Sequence, residues 1–420
     1  MISIEEMGRR AKEASHVMAG FLTRDRNRAL ESIRKELENA VPEILKANEE
    51  DLAEARTKGI GAALLDRLTL NEKRLSGIIA DIGNVAGLQD PVGEEFDSRV
   101  LPNGLRLRKR RVPLGVLGVI YEARPNVTVD ITSLSVKTGN ACILRGGKET
   151  LRSNTVLVTV IRKALKEAGF PEDAVQYISD PNREYVTELL KLDRYVDMII
   201  PRGGQKLQEL CRRESTVPVI IGGFGIGHIF VDASADPEKS LPLIGNSKIQ
   251  RPSACNAVDT VLVHCDIQDS FIPRLGRYLA ERDVEIVAHG RAWELLKDLI
   301  PGKVREGQPG DFDTEWLSLA VNIAAVDDLN AAVAHLRAHG AVHSDAILTN
   351  DYENALAFMN AVDSACVYVN ASTRFSDGGQ FGLGAEVAIS TQKLHARGPM
   401  GLQELTTYKW ICEGNYSLRE

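Results

Sequence analysis

Long apolar runs are missing from this chain. No stretch of ~18 consecutive apolar residues occurs, so no segment is expected to span a bilayer. The opening residues, MISIEEMGRRAKEA, carry early acidic groups and no apolar stretch leading to a cleavage site. They read as the first helix of a mature protein rather than a signal peptide. Cysteine is sparse: Cys142, Cys211, Cys255, Cys265, Cys366 and Cys412 are widely spaced and form no Cys-x-x-Cys pair. That excludes a disulfide scaffold and fits a reducing, cytoplasmic compartment. No His-Glu-x-x-His or comparable ligand cluster is present, so no metal site is expected. Positive charge is not in excess either. The formal net charge of −7 argues against nucleic acid as a main partner.

What remains is an ordinary globular composition, 44% apolar and 26% charged, over 420 residues, enough for two or three domains. Residues 1 to about 90 read as helical. In Arg26 to Leu37, for example, apolar residues recur three or four apart with charges between them. The segment SRVLPNGLRLRKRRV then places Asn103-Gly104 between two extended runs, a signal for a hairpin with a type I′ turn. Its Arg106 to Arg111 run reads as a nucleic-acid patch or as a strand with one solvated or subunit-facing side. Net acidity and the lack of interleaved aromatic residues favour the strand.

From Val112 strands alternate with helices. VPLGVLGVIYE, NACILRG, AVQYISD, VDMIIP and VPVIIGG are strand candidates, with helices at PNVTVDITSLSVKTG and ETLRSNTVLVTVIRKALKEAG. A second set follows Asp232: DTVLVHCDI, VEIVAH, LSLAVNIAAV, DAILTN and CVYVNA, with helical runs such as RAWELLKDLI and DDLNAAVAHLRAHG between them. The pattern predicts an α/β protein of two lobes built on mostly parallel sheets, with the boundary near residues 232 to 240.

The chemistry is less legible. No Gly-x-Gly-x-x-Gly stands at a strand-to-helix turn. The run Gly222-Gly223-Phe224-Gly225-Ile226-Gly227 lies between two strands and reads as a turn allowing close backbone approach. Among the cysteines, Cys142, Cys366 and Cys412 have apolar strand-like neighbours, Cys211 follows Leu210 on a helix, and Cys265 ends an apolar strand. Only Cys255, in Gln250-Arg-Pro-Ser-Ala-Cys-Asn-Ala257, sits among small and polar residues at a turn from helix to strand, with Arg251 nearby. It is either a reactive thiol or an inert cysteine in a turn.

Four longer runs carry a resemblance. These are Asn246 to Ala257, Val367 to Glu386, Ile389 to Gly401 and Gly118 to Asn126. They resemble the glutamyl phosphate reductase branch of the aldehyde dehydrogenases, and the likeness spans nearly the whole chain. It implies an aldehyde dehydrogenase-like fold with two Rossmann-like lobes and a small β-hairpin oligomerisation element. The cofactor-binding domain would cover 1–235, interrupted by the hairpin at about 97–112. The catalytic domain would cover 236–375, and 376–420 would be a return segment with the oligomerisation strand near Lys409 to Glu413. The implied reaction is NADPH-dependent reduction of L-glutamyl 5-phosphate to glutamate 5-semialdehyde, with release of phosphate, in proline biosynthesis.

The resemblance also implies residue roles. Cys255 would be the nucleophile, with Asn256 beside it. Gly203, Gly204 and Glu315 would serve the cofactor, Glu315 at the nicotinamide ribose. The superfamily's Lys-Pro-Ala-Glu run appears as Arg145-Gly146-Gly147-Lys148, which puts cations where a 2′-phosphate would lie and points to NADP. Arg124, Arg251 and Arg374 are candidates for the substrate's anionic groups. His228 and His343 are expected to be structural. Hydrolytic relatives carry a Glu before the Gly-Gly pair. Here Ile221 stands there and cannot act as a base, which disfavours the alternative of a hydrolytic NAD(P)-dependent semialdehyde dehydrogenase. An inactive binding protein is the rival from another class. A homo-oligomer, dimer or tetramer, is expected, and the upstream glutamate kinase is a candidate partner.

Overall fold

The computed structural model describes residues 2–419. Five helices come first: α1 (Ile4–Met18), α2 (Thr23–Asn39), α3 (Val41–Thr57), α4 (Ala62–Leu68) and α5 (Glu72–Gly87). The hairpin strands β1 (Glu95–Val100) and β2 (Arg106–Pro113) follow. Then come β3 (Val116–Tyr121), α6 (Asn126–Thr138), β4 (Ala141–Arg145), α7 (Leu151–Glu167), β5 (Val175–Tyr177), α8 (Glu184–Leu190), β6 (Met198–Arg202) and α9 (Gln205–Glu214).

The second series is β7 (His228–Val231), α10 (Pro237–Ile249), β8 (Thr260–His264), α11 (Gln268–Ala280), β9 (Glu285–Ala288), α12 (Arg291–Leu296), β10 (Val304–Glu306), β11 (Ala320–Val326), α13 (Leu329–Ala338), β12 (Ser344–Leu348), α14 (Tyr352–Ala361) and β13 (Cys366–Val369). Three strands close the chain: β14 (Ala388–Ser390), β15 (Gly398–Met400) and β16 (Thr406–Glu413). Among the described residues no helix is long and apolar enough to cross a membrane.

The first compact unit contains residues up to Ile221, Gly382–Ala388 and the stretch from Met400 onward. Its parallel sheet runs β5-β4-β3-β6. β3 and β4 are buried along their whole length, which is why they read as continuous apolar runs. α6 is buried almost all round despite its many hydroxyls. Thr132, Ser133 and Thr138 satisfy theirs by donating to carbonyls four residues back. It stops at Gly139, whose φ of 72° suits a residue without Cβ.

A separate antiparallel sheet, β1-β2-β16, is also part of this unit. Its turn is not type I′. Gly104 alone has positive φ (82°), and its N–H donates to the Leu101 carbonyl at 2.8 Å. Pro102 cannot take positive φ, so it and Asn103 form the centre of the turn and Gly104 supplies the left-handed residue after it. The basic strand is neutralised within its own sheet. Arg108 pairs with Glu95 and Glu413, Lys109 with Asp97, and Arg111 with Glu94. Lys109 also lies 4.6 Å from the Tyr408 ring centre, so aromatic partners come from a neighbouring strand. On the edge strand β16, Cys412 is exposed, against the expectation of a small apolar strand residue.

Two further expectations are corrected. VPLGVLGVIYE is not one strand: β2 ends at Pro113 and β3 starts at Val116, with Gly115 at φ 127° between them. VPVIIGG forms no strand, and its pairing is two isolated bridges, Val219 to Ile199 and Gly222 to Ser390.

The second unit comprises Gly222–Phe381 and Ile389–Pro399. Seven parallel strands run β10-β9-β11-β8-β7-β12-β13. One apolar cluster joins this sheet to α10, α11 and α12, and another joins it to α13 and α14. The two compact units divide at Ile221/Gly222, since β7 pairs with β8 and β12 of the second unit. The expected 376–420 return segment is likewise divided between the units.

Candidate active site

The thiol belongs to the second unit. α10 begins at Asp236, whose carboxylate caps the N–H groups of Glu238 and Lys239, with Pro237 in the first turn. It runs to Ile249, and the chain then turns through Arg251 to Ala257 before entering β8. Ala254 N–H closes on the Arg251 carbonyl (3.1 Å) and Ala257 N–H on Ala254 (3.0 Å). Cys255 is half-buried in this turn. Cys142 and Cys211 are buried, and burial pushes each thiol up to about 12. Cys366 is buried and raised for the same reason.

The glycine run packs against the turn. A side chain on Gly222 would meet the Ile389 carbonyl oxygen at 1.9 Å, and Gly222 bridges to Ser390. Gly223 has φ 81°, and its missing Cβ would stand 3.9 Å from Cys255 Sγ. The glycine backbone thus lies beside the thiol, held there by a close approach to Ile389 that only glycine permits at position 222. The residue before this pair is Ile221, whose side chain is a hydrocarbon.

Asn256 sits beside the thiol but acts as a brace. Its Nδ2 donates to the Ser376 carbonyl (2.8 Å), and Thr373 Oγ1 donates to the Asn256 carbonyl (2.7 Å). Arg374 joins the turn through Nε to Gln250 Oε1 (2.9 Å), and Arg251 is exposed on it. Two of the three candidate anion-binding arginines are therefore gathered at the thiol turn. Arg124 is in the first unit, just before α6.

Glu315 follows a short helical turn at Pro309–Asp313. Burial pushes its carboxyl up to about 7. The Asp259 charge adds to this, and Lys248 opposes it. Lys248, without exposure, reaches Asp259 Oδ1 at 3.4 Å. Asp259 Oδ1 also accepts Trp316 N–H (3.2 Å), and Oδ2 accepts Gly227 N–H (3.2 Å). Sequence reasoning missed this Lys248–Asp259 pair. The available signal was a lysine inside the nucleophile segment and an aspartate heading an apolar strand. His228 and His343 are fully buried, with Nδ1 next to Asp345 and Ser344 respectively.

Gly203, Gly204, Arg145 and Lys148 belong to the first unit. In the order β5-β4-β3-β6 the chain crosses over on opposite sides of β3, so the carboxyl ends of β3 and β6 mark a switch point suited to a dinucleotide. Gly203 and Gly204 stand there, at the start of α9. Glu122, after β3, accepts the Gly204 N–H at 3.1 Å. A Cβ on Gly203 would strike Glu122, and one on Gly146 would strike Asn154 at 2.3 Å. Glycine is required at both positions because Glu122 and Asn154 fill the space a side chain would take. Lys148 is exposed at the turn after β4. Arg145 is not a second solvent-facing cation. It is buried, and its guanidinium donates to the carbonyls of Gly146 and Pro181.

Similarity to known proteins places the chain in a family. Residues 3–287 match the model of the aldehyde dehydrogenase family. The chain is 59% identical over 415 residues to a gamma-glutamyl phosphate reductase of Aeromonas salmonicida, covering 99% of each. It is 57% identical over 418 residues to one from Photobacterium profundum, covering 100% of each. The crystal structure of gamma-glutamyl phosphate reductase from Thermotoga maritima superposes with a TM-score of 0.96 at 44% identity, covering all of both chains.

Proposed function

The chain belongs to the aldehyde dehydrogenase family, and from that premise we propose that it is a glutamyl phosphate reductase of proline biosynthesis. It reduces L-glutamyl 5-phosphate to glutamate 5-semialdehyde and releases phosphate. The observation that carries the reading is Cys255, half-buried in a turn with glycine backbone against it, in a protein whose relatives at 55–59% identity bear that name.

An acyl phosphate has a good leaving group but accepts hydride poorly. Attack by the Cys255 thiolate on the acyl carbon expels phosphate and leaves a thioester. A nicotinamide cofactor, when bound, supplies the hydride that brings the acyl carbon to the aldehyde level, and the thiol is regenerated. Arg251 and Arg374, placed at the thiol turn, are suited to the substrate's anionic groups. Ile221 before the glycine pair leaves the thioester without an adjacent base to activate water. Asn256, whose amide N–H groups brace residue 376, orients the turn rather than donating to the reacting oxygen.

For the cofactor, Gly203 and Gly204 suit the pyrophosphate, and Glu315 suits the nicotinamide ribose. Exposed Lys148 favours NADP over NAD by attraction to the 2′-phosphate. Arg145 shapes the same turn from below through its carbonyl bonds. The first unit is thus the cofactor-binding domain and the second the catalytic domain. The sheet β1-β2-β16 exposes Val100, Tyr408 and Trp410 and suits a homo-oligomeric contact. A cytoplasmic location fits the reduced cysteines, and the kinase that makes the acyl phosphate is a candidate partner.

The test is run in reverse. With glutamate semialdehyde and NADP, the rate of NADPH formation should rise with phosphate and fall towards zero without it. Rapid phosphate-independent production of free glutamate would move the chain to the hydrolytic dehydrogenases.

A further inference from the structure

We propose that the buried Asp259–Lys248 pair is a positioning device that holds the Cys255 turn and the Glu315 loop in one register. Cofactor affinity and thiol reactivity then depend on the same carboxylate. The proposal rests on the roles given above to Cys255 and Glu315.

Three segments meet on Asp259. Lys248, on α10 seven residues before the thiol, brings its ammonium to Oδ1 at 3.4 Å. Trp316, next to Glu315, donates its N–H to the same oxygen at 3.2 Å. Gly227, at the end of the run that places Gly223 beside Cys255 Sγ, donates to Oδ2 at 3.2 Å. The main chain of Asp259 is pinned as well. Its N–H reaches the Gly227 carbonyl at 2.8 Å, and its carbonyl takes the Asn322 N–H at 2.8 Å. The turn itself is tied to α10 by Val258 N–H on the Ser247 carbonyl (3.0 Å).

Packing alone does not call for these residues. Lys248 has no exposure and Asp259 only 2%. Taking both charges out of water works against stability, and apolar side chains of similar volume usually fold at least as well. What such side chains could not do is accept the Trp316 and Gly227 N–H groups and present a lysine to the same oxygen. The titratable groups that face Glu315 are Asp259 and Lys248, and their charges act on it with opposite sign.

That opposition distinguishes positioning from mere filling. Asp259→Asn removes an anion and leaves Lys248 facing Glu315, which then ionises at lower pH. Lys248→Met leaves the Asp259 anion, and Glu315 ionises at higher pH. The experiment uses the full chain. NADPH binding is titrated by fluorescence from pH 5.5 to 9, and the rate of Cys255 alkylation by iodoacetamide is measured with and without NADPH.

The expected result is a midpoint for NADPH binding that moves down in Asp259→Asn and up in Lys248→Met. Alkylation rates should change by about tenfold or more in both, since a displacement near 1 Å carries ~100-fold consequences. The charge-conserving variants Asp259→Glu and Lys248→Arg should keep the midpoint while altering alkylation, which preserves the test if a neutral variant fails to fold. Unchanged alkylation, with midpoints that stay put or move the same way in both variants, would overturn the proposal. Wild-type protein that binds no NADPH, or whose Cys255 does not alkylate, would overturn the functional reading, and the proposal with it.

Discussion

Gly222→Ala should disable the thiol without unfolding the protein. The new Cβ would lie 1.9 Å from the Ile389 carbonyl oxygen, 2.7 Å from its carbon and 3.0 Å from Ser390 Cα. All three are backbone atoms, so no side chain can rotate away. The run must retreat by about 1.5 Å, the difference between 1.9 Å and the 3.4 Å where ordinary contact begins. That retreat breaks the bridge to Ser390 and drags Gly223 away from Cys255 Sγ. Misplacements near 1 Å cost ~100-fold in rate, so kcat should fall by at least that much.

Gly223→Ala is the control. Its Cβ would stand 3.9 Å from Sγ, an ordinary contact, at φ 81°. The left-handed conformation costs ~1–2 kcal/mol, and kcat should stay within about tenfold of wild type. Phosphate-dependent reduction of NADP with glutamate semialdehyde is the assay, paired with circular dichroism to verify folding. Folded Gly222→Ala protein that turns over within about threefold of wild type would refute the argument that this backbone approach shapes the site.

Other perturbations follow from the same geometry. Cys255→Ser should nearly abolish turnover, because an alcohol ionises far less readily than a thiol of pKa ~8.5; near-normal kcat in folded protein would sink the thioester route. Lys148→Glu should lower the preference for NADPH over NADH by roughly ten- to a hundred-fold, the range of a charge-assisted contact of ~1.5–3 kcal/mol, and an unchanged ratio of kcat/KM values would remove Lys148 from that role. Asp90→Ala should destabilise the first unit by ~3–5 kcal/mol, because it strands the buried Arg26 guanidinium, which reaches Asp90 Oδ2 at 2.6 Å. A urea midpoint equal to wild type would show that the pair contributes little.

Much of this protein is determined locally and can be read from its residues. The 3.6-residue spacing of apolar residues marks α2, and continuous apolar runs mark the buried strands β3 and β4, because burial of one face or of both leaves its pattern in the sequence. The run from Asn246 to Ala257 singles out Cys255 among six as the candidate thiol, because only there do small and polar neighbours surround a cysteine at a turn. Misreadings arose where a local signal competed with a neighbour. Asn103-Gly104 signals a type I′ turn until Pro102, with its fixed φ, takes the corner.

Only the tertiary structure could decide the rest, since it depends on partners distant in sequence. Whether VPVIIGG becomes a strand depends on finding a ladder, and it finds only isolated bridges at Ile199 and Ser390. Whether Arg145 faces a ligand depends on the Pro181 carbonyl, 36 residues away, which draws its guanidinium inward. The unit boundary at Ile221 follows from β7 pairing with strands that come later in the chain. The meeting of Lys248, Trp316 and Gly227 on Asp259 is of the same kind. Each bond spans residues that share no local pattern, and burial in the folded unit is what makes their charges and N–H groups seek one another.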